Sequence, residues 1–304
     1  MSTIPAQPAR PRTKPWLLAL APVALIALAC WWFTEPLGKP PVATTAAQPV
    51  ASTRTVAERS AVSSWPAATL DGEPAKRLLL RFLQEARERL ERVEGYTATF
   101  HKQERIKGRL GPEQTMAMKV RNRPFAVYFK FLAPRAGKEV VFAEGRHDGK
   151  VIAHNGDWTR RLIPRLAVAP TDRLALADSR HPITDAGLVR LTEKLIAFRR
   201  LDLEDDEAVT ILDRTTTDDG TARLRSIHTH PNKNDDRPFA RVEILYDPVT
   251  GLPVSISSFE WPRPGRDGPL DLAEHYAYHD LRLDVPLTDL DFDPANPAYA
   301  FSRY

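Results

Sequence analysis

The spacing of hydrophobic residues predicts an amphipathic helix over about residues 75–94. Apolar positions recur there every three or four residues, and charged residues occupy the other faces. Pro74 suits the first turn of this helix, and Asp71 or Glu73 places negative charge near its start. Gly95 is a plausible stop signal.

Other segments alternate hydrophobic and polar residues with a period of two, which is typical of β-strands with one buried face. A second helix, capped by Thr184 or Asp185 and running to about Arg200, separates the earlier strands from the later ones. The predicted strands cover residues 96–101, 116–120, 125–131, 139–144, 150–155, 208–214, 223–228, 241–246, 254–261 and 272–283. Sequential short strands favour an antiparallel meander, so we predict a β-rich α+β fold whose sheet curves around helices 75–94 and 184–200.

The N-terminal segment predicts membrane attachment. Basic residues within residues 1–14 precede an uncharged stretch, residues 15–33, that is just long enough to cross a bilayer. The basic flank favours a cytoplasmic N-terminus, and therefore a single-pass signal anchor of the inner membrane. Residues 34–74 are rich in Pro, Ala, Ser and Thr and predict a disordered linker to a domain at 75–304, on the periplasmic side.

Two other interpretations of the same segment stay open. Ala27 and Ala29 form an A-x-A-like site, which is compatible with a cleaved secretory signal. The sequence Leu28-Ala29-Cys30 also loosely resembles a lipobox, which would make Cys30 a lipidation site.

Composition and charge narrow the function classes. The formal net charge of +4 is not concentrated on one segment, so we expect no nucleic-acid partner. Cys30 is the only cysteine, which rules out an intrachain disulfide and a cysteine-based zinc site. The sequence lacks a Gly-x-Ser-x-Gly elbow, a Gly-rich phosphate loop and a His-Glu-x-x-His motif. We therefore expect no cofactor and no metal, and a binding function rather than an enzymatic one.

The most distinctive polar cluster lies just before the second helix and comprises Arg180, His181 and Asp185. An imidazole beside a carboxylate can serve as a base or a ligand. The commoner role of such a pair is structural, with Arg180 and His181 bonding backbone carbonyls to anchor a loop.

Other polar residues have the spacing of a site but a more ordinary expected role. His228 and His230 would share one strand face and could reach one metal ion, although an exposed strand end is the commoner situation. Glutamates on neighbouring strands could support glycoside chemistry, although a solvated sheet face is the commoner place for them. These glutamates are Glu243, Glu260 and Glu274.

Aromatic and methionine residues form a second constellation on the predicted strands. They are either ordinary core or the lining of an acyl-chain cavity, because methionine adapts its shape to irregular ligands. The candidates are Phe100, Met116, Met118, Phe125, Phe129 and Phe131.

Several short stretches and the order of the elements carry a family resemblance. The stretches are 96–100, 179–184 with Gly187, 247–253, 274–278 and 291–294. In these the chain resembles the DUF1571 family, and its element order is similar to that of the LolA-like lipoprotein-carrier superfamily. The resemblance implies a half-barrel closed by helices over an apolar cavity, and a lipid, lipoprotein or other hydrophobic ligand. It supplies no catalytic residues.

Two alternatives to a lipid-binding envelope protein stay open: a non-catalytic scaffold of an envelope complex, and a hydrolase of envelope glycan or lipid. A hydrolase would bring His181 together with carboxylates from other elements. A binding protein would have an apolar cavity without such convergence, and a scaffold would expose an apolar patch.

Overall fold

The computed structural model describes residues 65–156, 165–233, 236–263, 265 and 267–302. The predicted basic tail and membrane segment lie outside these residues, and so does most of the predicted linker. No helix among the described residues is long and apolar enough to cross a bilayer. The end of the predicted linker is part of the folded unit, because Trp65 is buried and packs against the rings of Phe82 and Tyr246.

Two helices, α1 (Gly72–Glu91) and α2 (Leu188–Leu203), occur where amphipathic periodicity predicts them. Helix α1 ends before Gly95, which is not its stop signal as expected but the first residue of a strand. A side chain at this position would be crowded, because an added Cβ would lie 3.1 Å from the carbonyl oxygen of Val120.

Thirteen strands occur in the described residues, and together they form one sheet. They are β1 (Leu70–Asp71), β2 (Gly95–Ile106), β3 (Arg109–Leu110), β4 (Gln114–Arg121), β5 (Ala126–Ala133), β6 (Glu139–Ala143), β7 (Val151–His154), β8 (Leu166–Val168), β9 (Val209–Thr216), β10 (Ala222–Thr229), β11 (Arg241–Tyr246), β12 (Pro253–Phe259) and β13 (Leu272–Leu283). The alternation of hydrophobic and polar residues does not predict β1, β3 and β8, because strands of two or three residues are too short to show a period of two.

The sheet is an open, curved antiparallel sheet built from two meanders. Its main strand order is β1-β9-β10-β11-β12-β13-β2-β4-β5-β6-β7-β8, with β3 beside β2. One meander comprises strands β2 to β8 and the other comprises strands β9 to β13. They meet where β13, the last strand of the later meander, pairs with β2, the first strand of the earlier one. The prediction of an antiparallel meander with two helices is confirmed.

Both helices pack against each other and against the same face of the sheet. The C-terminal half of α1 joins the core over β2, β4 and β5, and its N-terminal half joins the core over β9 to β12. A smaller cluster around Tyr128, Phe292 and Tyr299 buries the opposite face of β5 to β7.

Helix α2 begins later than the sequence predicts. Neither Thr184 nor Asp185 caps it, because Ile183–Asp185 forms a separate turn of 3-10 helix. Asp185 instead pairs with Lys194 at 2.6 Å. The residue before the helix is Gly187, whose φ of +99° lies in the region that favours glycine.

A tyrosine of the sheet replaces the missing side-chain cap. The backbone N–H of Leu188 donates to the hydroxyl of Tyr96 at 2.8 Å. Tyr96 lies on β2, the strand that joins the two meanders by pairing with β13. An unpaired N–H group at a helix start is costly when buried, so this contact holds α2 to the sheet.

We expect Tyr96→Phe to lower the free energy of unfolding by about 1–3 kcal/mol, because it leaves the buried N–H of Leu188 without an acceptor. Urea unfolding followed by circular dichroism measures the change. Tyr246→Phe is the matched control: the Ser226 hydroxyl that contacts Tyr246 also contacts His228, so the loss should be smaller. Equal losses in the two variants would contradict the capping role.

Candidate ligand-binding site

A cavity of about 650 Å³ lies among the sheet, helix α2 and the segment 170–186 that precedes this helix. This volume is within the range of roughly 300–1,000 Å³ that is common for small-molecule sites. Strands of both meanders contribute to its walls, so the sheet curves around it. Its apolar lining includes Phe100, Met116, Phe129, Phe131, Val140, Val151, Val242, Ile256, Tyr276 and Tyr278.

The structure places four of the six aromatic and methionine candidates on the cavity wall. These are Phe100, Met116, Phe129 and Phe131. Met118 is enclosed by the core, and Phe125 packs against the same core cluster without reaching the cavity. Whether any of them contacts a ligand stays a prediction.

Two buried glutamates anchor the segment before α2. Glu104 and Glu274 face each other across β2 and β13, and each is 5% exposed. The Nε2 atom of His181 lies 2.9 Å from Glu274 Oε2, and the Nε atom of Arg180 lies 3.1 Å from the same oxygen. Lys102 Nζ lies 3.0 Å from Glu104 Oε2. We call these five residues the loop-anchor cluster.

Further contacts complete the loop-anchor cluster. The hydroxyl of Tyr276 donates to Glu104, and burial together with Glu274 and Glu104 raises the pKa of this tyrosine, which keeps it protonated. The backbone N–H of Arg180 donates to Glu104 at 3.1 Å, and its side chain donates to the carbonyl of Arg105 at 3.0 Å.

Several expectations about these polar residues are corrected. The carboxylate beside His181 is Glu274, not an aspartate near it in sequence, and Glu274 faces the cavity instead of a solvated face. Glu243 and Glu260 do not join it, since each pairs with a partly exposed arginine. Sequence reasoning missed Glu104, although the period of two continues the inward face of β2 from Phe100 to Glu104.

The surroundings of His181 do not distinguish a binding protein from a hydrolase. The cavity is apolar, as a binding protein requires, yet His181 also meets a carboxylate from another element. Among the described residues, no hydroxyl or thiol is hydrogen-bonded to the His181 ring, so no activated nucleophile is formed there.

A second polar group on the cavity wall surrounds Asp202 at the end of α2. Asp202 is 1% exposed, and its oxygens lie 3.0 Å from Arg199 Nε, 3.1 Å from His230 Nε2 and 3.2 Å from Arg237 Nη2. His228 lies next to it and contacts the hydroxyls of Ser226 and Thr210. We call Arg199, Asp202, His228, His230 and Arg237 the arginine cluster.

The arginine cluster corrects the expectation of an exposed strand end at His228 and His230, which are 0% and 6% exposed. No group of His, Cys, Asp and Glu among the described residues has the arrangement of a metal site. Burial, with Arg199 and His230, lowers the pKa of His228 well below its usual value, so this imidazole is neutral. Burial alone would raise the pKa of Asp202, but His230 and Arg199 outweigh it and lower that pKa.

We expect acid to destabilise the protein below about pH 6.5, the ordinary pKa of histidine. His228 takes up a proton in the unfolded state but not in the folded state, so stability is present above this pH and is lost as the pH falls. One such group contributes at most about 1.4 kcal/mol per pH unit. His228→Gln should flatten the pH dependence of urea unfolding between pH 7.5 and 5; an unchanged slope would assign the acid sensitivity to other groups.

Comparison with known proteins identifies the family. The model of the family described as "Protein of unknown function (DUF1571)" matches residues 93–301, and the chain therefore belongs to this family. No curated protein matches the sequence.

Distant similarities to solved structures include the following three. The Mycobacterium tuberculosis lipoprotein LppX is 12% identical, with a TM-score of 0.39 over 71% of this chain and 99% of that chain. A putative outer membrane lipoprotein-sorting protein domain from Vibrio parahaemolyticus is 10% identical, with a TM-score of 0.33 over 70% and 95%. A LolA superfamily protein from Nitrosomonas europaea is 12% identical, with a TM-score of 0.27 over 70% and 96%. At these low identities and TM-scores the three structures do not indicate a function for this chain.

Proposed function

We propose that this DUF1571 family member binds the apolar part of a lipid, a lipoprotein or another hydrophobic ligand in the cavity beneath α2. The observation that carries the proposal is the cavity of about 650 Å³, walled by aromatic and aliphatic side chains from both meanders. Each methylene group that moves from water into such a wall contributes about 0.8 kcal/mol. An acyl chain therefore gains several kcal/mol after the cost of ordering it.

The chemistry of the wall suits a flexible apolar chain. Phe100 and Phe129 lie 5.8 Å apart between ring centroids, and Met116 supplies an adaptable thioether on the strand between them. Leu166 and Leu174, which also line the cavity, are 36% and 63% exposed and give its rim an apolar character. In this proposal the curved sheet forms a half-barrel around the ligand.

We also propose that residues 15–33 anchor the protein in the inner membrane and that the folded part lies on the envelope side. The support is the basic flank and the length of the uncharged stretch. The chain between residue 34 and Trp65 would then tether the cavity close to the bilayer surface.

A second candidate function, hydrolysis of an envelope glycan or lipid, has one observation in its favour. His181 and Glu274 converge from a loop and a strand on the cavity wall. Glu274 also pairs with Arg180 at 3.1 Å, so the carboxylate is already engaged in holding the loop. This engagement favours the binding function over the hydrolase.

We expect a photoactivatable phospholipid to label cavity peptides of the full-length protein in nanodiscs. Phe129→Asp should reduce this labelling by about tenfold or more, because a carboxylate on an apolar wall is costly to desolvate. Mass spectrometry of the labelled peptides measures the change.

Two variants control this experiment. Phe129→Leu keeps the wall apolar and should retain most of the labelling. Lys130→Asp introduces the same charge on the same strand, but at an exposed position, and should leave labelling unchanged. If the wild-type cavity takes no label, the binding proposal fails and the scaffold hypothesis replaces it.

The location proposal has its own test. We expect alkaline phosphatase fused after residue 64 to be active, because this enzyme matures only outside the cytoplasm. Green fluorescent protein fused at the same point should stay dark, because it does not become fluorescent when it is exported in unfolded form. The opposite pattern would place the folded part in the cytoplasm.

A further inference from the structure

The arginine cluster carries more positive than negative charge. Arg199 and Arg237 are 3% and 4% exposed, and both line the cavity. Asp202 is the one carboxylate buried with them among the described residues, while Asp205, which is 3.5 Å from Arg237 Nη2, is partly exposed. The neutral imidazole of His228 adds no charge to the cluster. Two guanidinium groups therefore share one fully buried carboxylate.

Unpaired donors accompany this excess charge. The Nε and Nη1 atoms of both Arg199 and Arg237 are buried and make no hydrogen bond with the described residues, and neither does Asp202 Oδ2. Four donor atoms thus stand against one acceptor atom. A buried donor of a charged group is costly to leave unmet, and the great majority of buried polar groups in proteins are paired. The unpaired donors therefore point to an acceptor that binds from the cavity.

The loop-anchor cluster provides an internal comparison. There the carboxylates of Glu104 and Glu274 face the cations Lys102 and Arg180, so charges are matched within the protein. Both clusters lie along one row of the sheet. Glu104 neighbours Glu274, Ser258 follows on β12, Val242 follows on β11, and His228 follows on β10.

The row spans four strand-to-strand steps, or roughly 19 Å from β2 to β10. One part of the cavity wall has satisfied charges, and another part has a net positive charge with free donors. Most of the rest of the wall is apolar, and its other charged residues are Lys138, Asp178, Asp185 and Lys194. This distribution matches a ligand that has both an apolar chain and an anionic group.

We propose that the ligand is an anionic amphiphile whose carboxylate or phosphate is held by Arg199 and Arg237. The inference rests on the proposed binding of a hydrophobic ligand and adds the chemical class of its polar group. Guanidinium groups suit both anions because their planar donors bind two oxygens at once. The chain of the ligand then lies against Phe100, Met116 and Phe129.

Competition in nanodiscs of zwitterionic phospholipid tests the inference with the full-length protein. The probe is a fatty acid that carries a diazirine on its chain, and label is read on cavity peptides. The competitors are oleate, oleyl phosphate and oleyl alcohol at equal mole fraction in the bilayer, at a pH where the fatty acid is ionised. We expect oleate and oleyl phosphate to compete roughly tenfold to a hundredfold more effectively than oleyl alcohol, the range expected for charge-assisted hydrogen bonds.

Substitutions locate the effect. Arg199→Gln and Arg237→Gln should each reduce the preference for the anionic competitors over oleyl alcohol. Arg190→Gln is the matched control: it removes an arginine from the same helix, but one that is exposed and pairs with Glu193. This variant should keep the full preference.

The outcomes separate this inference from the function on which it rests. Equal competition by oleate and oleyl alcohol in the wild type would overturn the anionic group but leave hydrophobic binding intact, and this comparison needs no variant to fold. Absence of label from the cavity would overturn both. Inorganic phosphate that displaces the probe as well as oleyl phosphate does would indicate a site for a free anion and would also overturn the inference.

Discussion

Polar contacts at both ends of α2 hold this helix above the sheet. At its start, the N–H of Leu188 donates to the hydroxyl of Tyr96. At its end, Asp202 lies within 3.2 Å of both His230 and Arg237 from the sheet side of the cavity. Since buried polar groups are costly to separate from their partners, these contacts fix the distance between helix and sheet. The apolar residues between the two ends therefore cannot close the cavity by moving the helix inward.

The way the sheet is assembled places both anchors. The two meanders meet where β13 pairs with β2, and Tyr96 comes from one of these strands. The glutamates that hold the segment before α2 come from the same pair of strands. The contact between the meanders thus positions the start of the helix and the loop before it, while the end of the helix reaches β10 and the segment after it.

The sequence predicts the strands and helices better than it predicts the site, and the reason is physical. A period of two assigns Met116 and Met118 to the same sheet face, and both do lie there, but only the first reaches the cavity. The difference depends on which part of that face the helices cover, which no local pattern encodes. The sequence predicts an exposed strand end for His228 and His230, because their partner Asp202 lies far from them in sequence. Asp202 comes from another element, so no local pattern indicates that it contacts them.

The buried charges are hard to explain by stability alone. Ion pairs inside a protein offset their desolvation only in favourable geometry, and hydrophobic residues of similar size are often at least as stable. In the loop-anchor cluster each carboxylate has a cation and further hydrogen bonds, so the cost is compensated within the protein. In the arginine cluster it is not, since donors of Arg199 and Arg237 stay unpaired. Under the proposed function, the two clusters therefore have different roles. The loop-anchor cluster holds the segment before α2 in place, and the arginine cluster binds the charged group of the ligand.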